Sequence, residues 1–249
     1  IKLEPVIPVW INESEGKYDY SKFTDYPNPV AQIAYDNYRT EQFRLLGNVF
    51  AELEIIKDLK LKTSYGLNRS VTDTYDFDPV YFVNTNQSNG VSKVYRGYDR
   101  SVYQTWENTL TYNKTIGKHD IGALVGFTKE KSRYEWLTGS KTNVPNEDEA
   151  LWYLDGAADG DLTTGSAEEY SLMSYLGRIN YSYDNKYLMT VNFRADGSSR
   201  FADGNRWGYF PSVALGWKLS EENFMKDINW LSILKLRGGW GQIGNQNIG

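Results

Sequence analysis

This chain of 249 residues has few side chains suited to catalysis, since it holds one histidine and no cysteine. The absence of cysteine removes thiolate nucleophiles, cysteine metal ligands and disulfides. His119 lies between Lys118 and Asp120, in a segment that is predicted to be a short turn. A general base needs a positioned partner and a cleft. We therefore interpret His119 as a solvated turn residue and predict that the protein has no catalytic residue and is not an enzyme.

Metal binding has one candidate, the run DGAADGDLTTG, in which Asp155, Asp159 and Asp161 offer oxygen ligands suited to calcium. The run lacks the ligand spacing and the terminal glutamate of an EF-hand loop. A flexible loop accounts for its glycines and aspartates more simply. We therefore predict no metal site and no cofactor.

Binding chemistry is better represented, because 20 tyrosines, 10 phenylalanines and 8 tryptophans make up 15% of the chain. Aromatic rings can stack on sugars or peptides, but near strand ends they are also typical of a membrane interface. Aromatic residues within the predicted long loops are the better candidates for contact with a substrate or partner, since loops often carry function. These candidates are Tyr75, Tyr81, Phe82, Tyr95, Trp152 and Tyr153.

The elements that position these residues are predicted to be strands. Apolar and polar residues alternate with a period of two over 187–196 and again over 212–219, which is typical of strands with unlike faces. Residues 197–206, rich in Gly, Ser, Asp and Asn, are predicted to form the hairpin loop between them. Pro211 cannot donate a ladder hydrogen bond and therefore indicates a strand end, a bulge or an edge.

Alternation predicts about eight strands in all, and the remaining ones cover 43–55, 61–68, 103–113, 121–134, 170–183 and 233–240. Short turns follow the first, third and fifth strands. Long polar segments, predicted to be loops, follow the second and fourth strands at 71–100 and 139–168. Residues 1–42 are predicted to be mostly loop, with a short helix within 28–38, and residues 43–249 to be strands and loops.

This segregation of connection lengths is typical of outer-membrane barrels, which have short periplasmic turns and longer extracellular loops. The predicted fold class is therefore all-β, a segment of an antiparallel transmembrane β-barrel. A mean hydropathy of −0.59 agrees with it, because barrel strands turn half of their residues toward a polar lumen. The sequence has no apolar run long enough for a transmembrane helix. Its net charge of −5, without a basic stripe, argues against nucleic acid as a partner.

The alternation also assigns the two faces of the strands. Apolar positions expected to meet lipid are Val191, Phe193, Val213, Leu215, Leu234 and Leu236. Polar positions expected to line the lumen are Arg178, Asn180, Asn192, Arg194 and Arg237. A charge on the lipid face is expensive, so Arg194 is expected to face the lumen and to bond a neighbouring strand, the returning loop or a plug.

Three blocks, RADGSSRF, NRWGYFPSVALGWKLSEENF and LSILKLRGGWGQIGN, follow one another at short spacing. They resemble the SusC/RagA family of TonB-dependent outer-membrane transporters of Bacteroidetes-type bacteria, and two upstream blocks, at 28–66 and 105–127, resemble the same family. The resemblance implies that residues 1–249 are part of one barrel domain of about 22 strands with a plugged lumen. The plug domain and the TonB box would lie outside this sequence.

The resemblance has further implications for location and partners. It implies the outer membrane of a Gram-negative, Bacteroidetes-type bacterium, with lipid and lipopolysaccharide around the barrel. It also implies a SusD-like surface lipoprotein as a lid, and energy from the TonB–ExbB–ExbD complex through parts that are absent here. The implied activity is import of a glycan- or peptide-type nutrient.

Two other classes of protein remain open from the residues. A soluble secreted β-sandwich, acting as a carbohydrate-binding protein or adhesin, would explain the tyrosine-rich loops and the hydrophilic composition. An outer-membrane barrel enzyme would need a nucleophile and a base near one rim, whereas His119 is predicted at the end opposite to the long loops. A chain that stays monomeric without detergent would favour the sandwich.

Overall fold

A computed structural model describes residues 7–24, 26–145, 148–149, 152–225, 228 and 230–246. The strands and the helix, in chain order, are β1 (Trp10–Asn12), β2 (Lys17–Tyr18), α1 (Pro29–Tyr35), β3 (Arg39–Ile56), β4 (Leu59–Asp78), β5 (Tyr81–Asn84), β6 (Gln87–Asn89), β7 (Lys93–Ile116), β8 (His119–Thr142), β9 (Asp159–Tyr183), β10 (Tyr187–Ser198), β11 (Trp207–Lys218) and β12 (Lys235–Gly241). Short 3-10 helices cover Glu13–Glu15, Leu154–Gly156, Leu219–Glu221 and Asn223–Met225.

The eight long strands form one sheet in the order β12-β11-β10-β9-β8-β7-β4-β3. Each long strand therefore lies beside the long strand that follows it in the chain, which is the order of an antiparallel meander. β1 pairs with β2, and β5 with β6, in two separate two-stranded sheets. The prediction of about eight antiparallel strands is confirmed. One large sheet, rather than two sheets of similar size, is not the arrangement of the alternative β-sandwich.

The predicted short turns are confirmed at 57–58, 117–118 and 184–186. Gly117 has φ of 60°, and the other turn residues with positive φ are Asp58, Asp184 and Asn185. Aspartate and asparagine tolerate this left-handed region better than other side chains do. Each of these turns therefore reverses the chain within two or three residues.

The predicted long loops are wrong in their extent. Within 71–100, strand β4 continues to Asp78, the β5–β6 hairpin follows, and β7 begins at Lys93. Within 139–168, β8 continues to Thr142 and β9 begins at Asp159. The strand extensions were missed because both of their faces are polar or tyrosine-rich, and a period of two is visible only when the faces differ.

In the first part of the chain, the short strands β1 and β2 and the start of β3 at Arg39 were not predicted. Helix α1 lies within the predicted 28–38. Asn28 is its N-cap, and its side-chain oxygen accepts hydrogen bonds from the backbone N–H groups of Val30 at 2.9 Å and Ala31 at 3.3 Å. Pro29 at the first helical position favours the same start.

The chain divides into two units, which we name the loop unit (1–44, 70–101 and 134–167) and the strand unit (45–69, 102–133 and 168–249). The loop unit has a small buried core of Phe77, Val94 and Ala157. Partly buried hydrophobic residues pack against this core, namely Val144, Trp152 and Leu154. The strand unit carries its large apolar residues on exposed strand positions instead, such as Val49, Leu53 and Leu215.

Strand register in the strand unit is continuous from β9 to β12. One row across the four strands is Ile179, Val191, Val213 and Trp240, and the next row is Arg178, Asn192, Ser212 and Gly241. Directly paired residues point to the same side of a sheet, and successive residues to opposite sides. The rows therefore define an apolar face, which bears Val191 and Val213, and a polar face, which bears Asn192 and Ser212.

Pro211 lies within β11, at the end of its ladder with β12 rather than on an edge strand. It pairs with Phe193 of β10, but the pairing of β11 with β12 begins only at Ser212. The Pro211 carbonyl accepts a hydrogen bond at 3.0 Å from the backbone N–H of Gln242, one residue beyond β12. Proline has no backbone N–H to donate. At Pro211 that N–H would point toward β12, at the place where the β11–β12 ladder ends, so few ladder hydrogen bonds are lost.

Candidate functional site

The polar face of β9–β12 carries all five residues that were predicted to line a lumen. Arg178 pairs with Asn192, Asn180 pairs with Thr190, and Arg237 pairs with Gly216. Arg194 lies two residues along β10 from Asn192 and therefore shares its face. The structure thus brings these side chains to one side of the sheet, while their position in a lumen stays a prediction.

Side chains on this face bond across the strands. Arg178 Nε donates to Asn192 Oδ1 at 2.6 Å, and Asn192 Nδ2 donates to Ser212 Oγ at 3.0 Å. Thr190 Oγ1 donates to Asn180 Oδ1 at 3.0 Å. These bonds join β9, β10 and β11 and hold the polar groups in a fixed pattern, which a row of solvated side chains would not do.

Arg194 makes the bond to a neighbouring strand that was expected of it. Its Nη2 donates to Ser174 Oγ of β9 at 3.1 Å, and Ser174 is fully buried. Its Nε donates to the Asp196 carboxylate at 2.6 and 2.8 Å. The Arg194 side chain is 44% exposed to solvent. Its ion pair with Asp196 is therefore screened by water and contributes little to stability by itself.

A cavity of about 900 Å³ lies on the polar face. Its polar lining includes Arg178, Asn192, Arg194, Asp196 and Ser212. Its size is in the range of a small-molecule or peptide site. Apolar side chains, among them Leu176, Phe201 and Phe210, form much of the rest of the lining, so the wall of the cavity is mixed in character.

The apolar face has two rows of aromatic rings. The first row, beside the short turns, joins Tyr183, Tyr187 and Trp217 with centroid distances of 6.3 and 6.4 Å. The second row is farther along the strands and has centroid distances of 5.4 to 6.0 Å. Its members are Trp106, Phe127, Tyr175 and Trp207.

The separation of these two rows matches the height of an outer-membrane apolar band. On β10 the rows are marked by Tyr187, paired with Trp217, and by Gly197, paired with Trp207, which is ten residues farther along (197 minus 187). Ten residues span about 34 Å of strand, or about 24 Å of height at a tilt of about 45°. An outer-membrane barrel has an apolar band about 25 Å tall between two aromatic girdles.

The residues between the two rows are apolar and uncovered. Ile179 is 50% exposed and Leu215 is 58% exposed, and Val191 and Val213 are each 37% exposed. Exposed apolar residues that lie side by side in this way mark a surface that meets a membrane or another protein. The apolar face therefore fits a hydrocarbon surrounding, whereas the polar face fits water.

The short turns are tied to one another by backbone and side-chain bonds. The backbone N–H of Asp184 donates to the Lys118 carbonyl at 2.7 Å, and Lys118 Nζ lies 2.9 Å from the Asp184 carboxylate. The hydrogen bond from Lys118 lowers the pKa of Asp184, and the same bond raises the pKa of Lys118. Both charged forms are thus favoured in the folded protein.

Glu222 links the connection between β11 and β12 to the first aromatic row. Its Oε1 accepts hydrogen bonds from the Tyr187 hydroxyl at 2.7 Å and from Trp217 Nε1 at 3.0 Å. Lys186 Nζ lies 3.4 Å from its other oxygen. These two hydrogen bonds, followed by the charge of Lys186, lower the pKa of Glu222.

Three of the six aromatic candidates lie in one cluster of the loop unit. The Arg96 guanidinium lies 3.9 Å from the ring centroid of Tyr75 and 4.9 Å from that of Tyr153, and it donates to the Trp152 carbonyl at 2.9 and 3.2 Å. The Trp152 ring stacks on Phe77 at 4.3 Å. Cation–π contacts and stacking give these rings a structural role that sequence alone did not indicate.

The other three aromatic candidates differ in their surroundings. Tyr81 stacks on Tyr35 of α1 at 4.1 Å, and Tyr95 is half-buried. Phe82 is 73% exposed. Phe82 and Tyr153, which is 62% exposed, are therefore the candidates with most surface available for a partner.

His119 was the candidate for catalysis, and three aspartates were the candidates for metal binding. In the part of the chain that the structure describes, no group of three or more His, Cys, Asp or Glu side chains could hold a metal ion. The side chain of Asp161, one of the calcium candidates, lies outside that part. His119 is exposed, with Nδ1 2.7 Å from the Tyr181 hydroxyl. None of the helices among the described residues has the length and apolar character to span a membrane.

Sequence reasoning missed two residues that organise these surfaces. Glu222 was read as part of a connection, and Ser174 as an ordinary strand residue. The sequence signal for Glu222 is weak, since its partner Tyr187 lies 35 residues away. For Ser174, the available signal is its place on the polar face directly opposite Asp196.

Comparison with known proteins gives similarity over almost the whole chain. The chain is 37% identical over 283 residues to the TonB-dependent receptor SusC of Bacteroides thetaiotaomicron, covering 100% of this chain and 26% of the relative. It is 34% identical over 246 residues to the TonB-dependent receptor P39 of Formosa agariphila, covering 97% of this chain and 23% of the relative. No family model matches.

Solved structures give the same result. The RagAB peptide transporter matches with a TM-score of 0.80 and 27% identity, over 92% of this chain and 26% of that chain. The open-open state of the RagAB peptide importer matches with a TM-score of 0.82 and 27% identity, over 94% of this chain and 26% of that chain. The chain thus spans about a quarter of the length of the proteins it matches. Their names denote receptors and transporters rather than enzymes.

Proposed function

This chain belongs to the SusC/RagA family of TonB-dependent receptors, and on that premise we propose that it forms part of the wall of an outer-membrane nutrient importer. The strands of the strand unit would cross the membrane. Their apolar face would meet lipid, and their polar face would line the lumen. The observation that carries the proposal is the two-faced sheet, whose apolar face has two aromatic rows that lie ten residues apart on β10, or about 34 Å along the strand.

The remaining wall would come from strands outside this sequence. β3 and β12 are the end strands of the described sheet, and all of their residues are exposed. A strand edge in lipid leaves backbone N–H and C=O groups without partners, which lipid cannot supply. We infer that both edges pair with further strands, in a barrel of about 22 strands with a plug, and that residues 1–249 form one part of its barrel domain.

Uptake would follow the mode that the family implies. We propose import of glycan- or peptide-type nutrients, with a SusD-like surface lipoprotein as lid and with energy from the TonB–ExbB–ExbD complex acting through parts outside this sequence. The names of the RagAB peptide transporter and importer support a peptide as the substrate class, and a glycan is the other class that the family resemblance implies. Growth of a strain that lacks the receptor, on oligopeptides or on glycans as sole carbon source, separates the two. This strain should fail to grow only on the class of nutrient that the receptor imports.

Orientation provides the direct test of the membrane proposal. The chain has no cysteine, so single cysteines can be placed in the full receptor after removal of any others. An impermeant maleimide applied to intact cells should label Asn86→Cys, in the β5–β6 turn, and Asp203→Cys, in the 199–206 loop. It should leave Asp58→Cys and Asp184→Cys unlabelled until the outer membrane is opened.

The two groups of sites act as controls for each other. Labelling of the short turns alone on intact cells would show that the orientation is the reverse of the one proposed. Equal labelling at all four sites in cells whose outer membrane is intact would reject a membrane-spanning sheet. Recovery of the chain in the soluble fraction, monomeric without detergent, would favour the secreted β-sandwich instead.

Candidate contact residues follow from the same placement. We propose that Phe82 and Tyr153 reach the substrate or the lipoprotein lid, since they are the most exposed of the six aromatic candidates. Tyr75, Tyr81, Tyr95 and Trp152 would shape the surface that presents them. Alanine at Phe82 or Tyr153 should weaken substrate or lid binding without loss of receptor abundance.

A further inference from the structure

We propose that the 219–234 connection between β11 and β12 is an interfacial anchor, which inserts Phe224, Trp230 and Ile233 into the lipid leaflet beside the short turns. This inference rests on the proposed function, because it requires that the strands cross a membrane. It adds a second way of holding the barrel at its depth, apart from the aromatic rows of the strands themselves.

The attachment of this connection fixes the side of the sheet on which it lies. Glu222 accepts hydrogen bonds from Tyr187 and Trp217, which are directly paired and belong to the apolar face. A carboxylate that reaches both of these ring donors lies over the apolar face at its rim. The connection therefore begins on the side of the sheet proposed to meet lipid.

The two ends of the connection are also joined. The backbone N–H of Ser220 donates to the Leu234 carbonyl at 3.2 Å. Between Glu222 and this backbone bond, the described residues include the 3-10 helices at 219–221 and 223–225. Both ends of the connection are therefore fixed to the rim.

The side chains it presents are large and apolar. Phe224 is 67% exposed, Ile233 is 75% exposed and Trp230 is 84% exposed. The neighbouring short turns at 57–58, 117–118 and 184–186 carry Lys, Asp, Gly and Asn instead. Exposed Phe, Trp and Ile next to polar turns are typical of a segment that lies at a membrane interface.

Lipid is the occupant that the surroundings favour. The connection continues from the first aromatic row, which ends at Trp217, and tryptophan prefers the boundary between headgroups and acyl chains. Lys186 and Lys218 at the same rim are bonded to Glu222 and Asn185, so they do not serve as phosphate ligands. Exposed aromatic and aliphatic side chains at the edge of an apolar band match a phospholipid leaflet more closely than a polar protein surface.

The test uses a nitroxide label on single cysteines in the full receptor, with any other cysteine removed. The receptor is placed in vesicles of phosphatidylethanolamine and phosphatidylglycerol. Phe224→Cys and Trp230→Cys should collide more with oxygen, which concentrates in lipid, than with a water-soluble nickel chelate. Val213→Cys, in the middle of the apolar face, should behave in the same way, and Asp203→Cys, in an exposed loop, should show the opposite preference.

The controls separate this inference from the proposed function. Preference for nickel at Val213→Cys would overturn the membrane placement of the sheet. Oxygen preference at Val213→Cys together with nickel preference at both connection sites would overturn the anchor alone. Protection of both connection sites from both reagents would mean that protein covers them, which also overturns the anchor.

A second experiment tests the attachment of the connection through Glu222. Glu222→Ala removes the acceptor for Tyr187 and Trp217, so the label at Trp230→Cys should become more mobile and its collisions with nickel should rise severalfold. Glu221→Ala removes an exposed neighbouring carboxylate and should change neither quantity. Equal responses to the two substitutions would exclude the specific attachment.

Discussion

The two units of this chain differ in the side chains that they bury. In the loop unit, Phe77 and Val94 are each 1% exposed and lie in a small core. In the strand unit, Leu215 and Val125 are each 58% exposed, whereas Ser174 is fully buried. A single aqueous solvent favours the first pattern and disfavours the second.

This difference indicates two surroundings along one chain. The loop unit is organised as a water-soluble protein is, with rings stacked inward and Arg96 held between Tyr75 and Tyr153. The strand unit places small and polar side chains in contact with each other and leaves its aliphatic side chains facing outward. Substitutions should therefore obey different rules in the two units, and the predictions below test that contrast.

The largest effect is expected from Phe77→Ala in the loop unit. Removing a fully buried ring that stacks on Trp152 should destabilise that unit by about 3–5 kcal/mol, because it leaves a cavity and loses the buried surface. Amide hydrogen exchange in 70–101 and 134–167 should accelerate accordingly. Phe82→Ala, at a ring that is 73% exposed, is the matched control and should change exchange little. Similar acceleration by both substitutions would contradict a core at Phe77.

The next effect concerns arginine on the two faces of β11. Leu215 belongs to the apolar face and Ala214, paired with Thr190, to the polar face. Leu215→Arg should lower the free energy of unfolding in phospholipid vesicles by about 2–4 kcal/mol if this position lies near the bilayer midplane, and Ala214→Arg should lower it less. Denaturant titration of the vesicle-embedded receptor measures both. Equal penalties would reject the assignment of the faces.

Sequence predicted the strand unit better than the loop unit for a physical reason. In β10 and β11 one face meets an apolar surrounding and the other a polar one, so residues such as Val191 and Asn192 alternate visibly. In 71–78 and 93–100 neither face is uniformly apolar, and the strands there were predicted as loop. The shared face of Arg178 and Arg194 followed from the alternation.

Contacts between distant segments could not be predicted in the same way. The Arg96 side chain lies over Tyr153, which is 57 residues away (153 minus 96), and a repeating pattern carries no information about that distance. The stacking of Trp152 on Phe77 is similar. Aromatic residues in a polar segment suggested ligand contacts, whereas the structure uses most of them for packing.

A smaller and pH-dependent effect is expected at Glu222. Hydrogen bonds from Tyr187 and Trp217 lower its pKa below the ordinary value of 4.5. Its contribution to holding the 219–234 connection is therefore complete above about pH 4.5 and is lost as the pH falls through the lowered folded pKa. Protease cleavage within 219–234 should rise as the pH is lowered past this point, measured with an acid-active protease.

The Glu222→Gln variant tests the origin of that pH dependence. The amide oxygen can still accept a hydrogen bond but does not titrate, so cleavage in the variant should not rise over the same range. Lys186 and Asp184, the nearest other charged groups, remain in the variant. An unchanged pH dependence in Glu222→Gln would assign the effect to Asp184 or to another group.

The smallest effect on stability is expected at Arg194, whose ion pair with Asp196 is partly exposed and is worth less than about 1 kcal/mol. Its second bond, to the buried hydroxyl of Ser174 on β9, fixes the guanidinium on the polar face beside the cavity.

Arg194→Gln removes the charge and keeps a donor, so assembly should survive while uptake of the substrate by whole cells falls. Arg200→Gln, at an exposed arginine of the 199–206 loop that lies over the Tyr170 ring, is the matched control and should leave uptake unchanged. Surface abundance is measured in parallel by labelling of Asp203→Cys in the Arg194→Gln background. Normal uptake at normal abundance would leave Arg194 as a solvated residue of the polar face, without a part in transport.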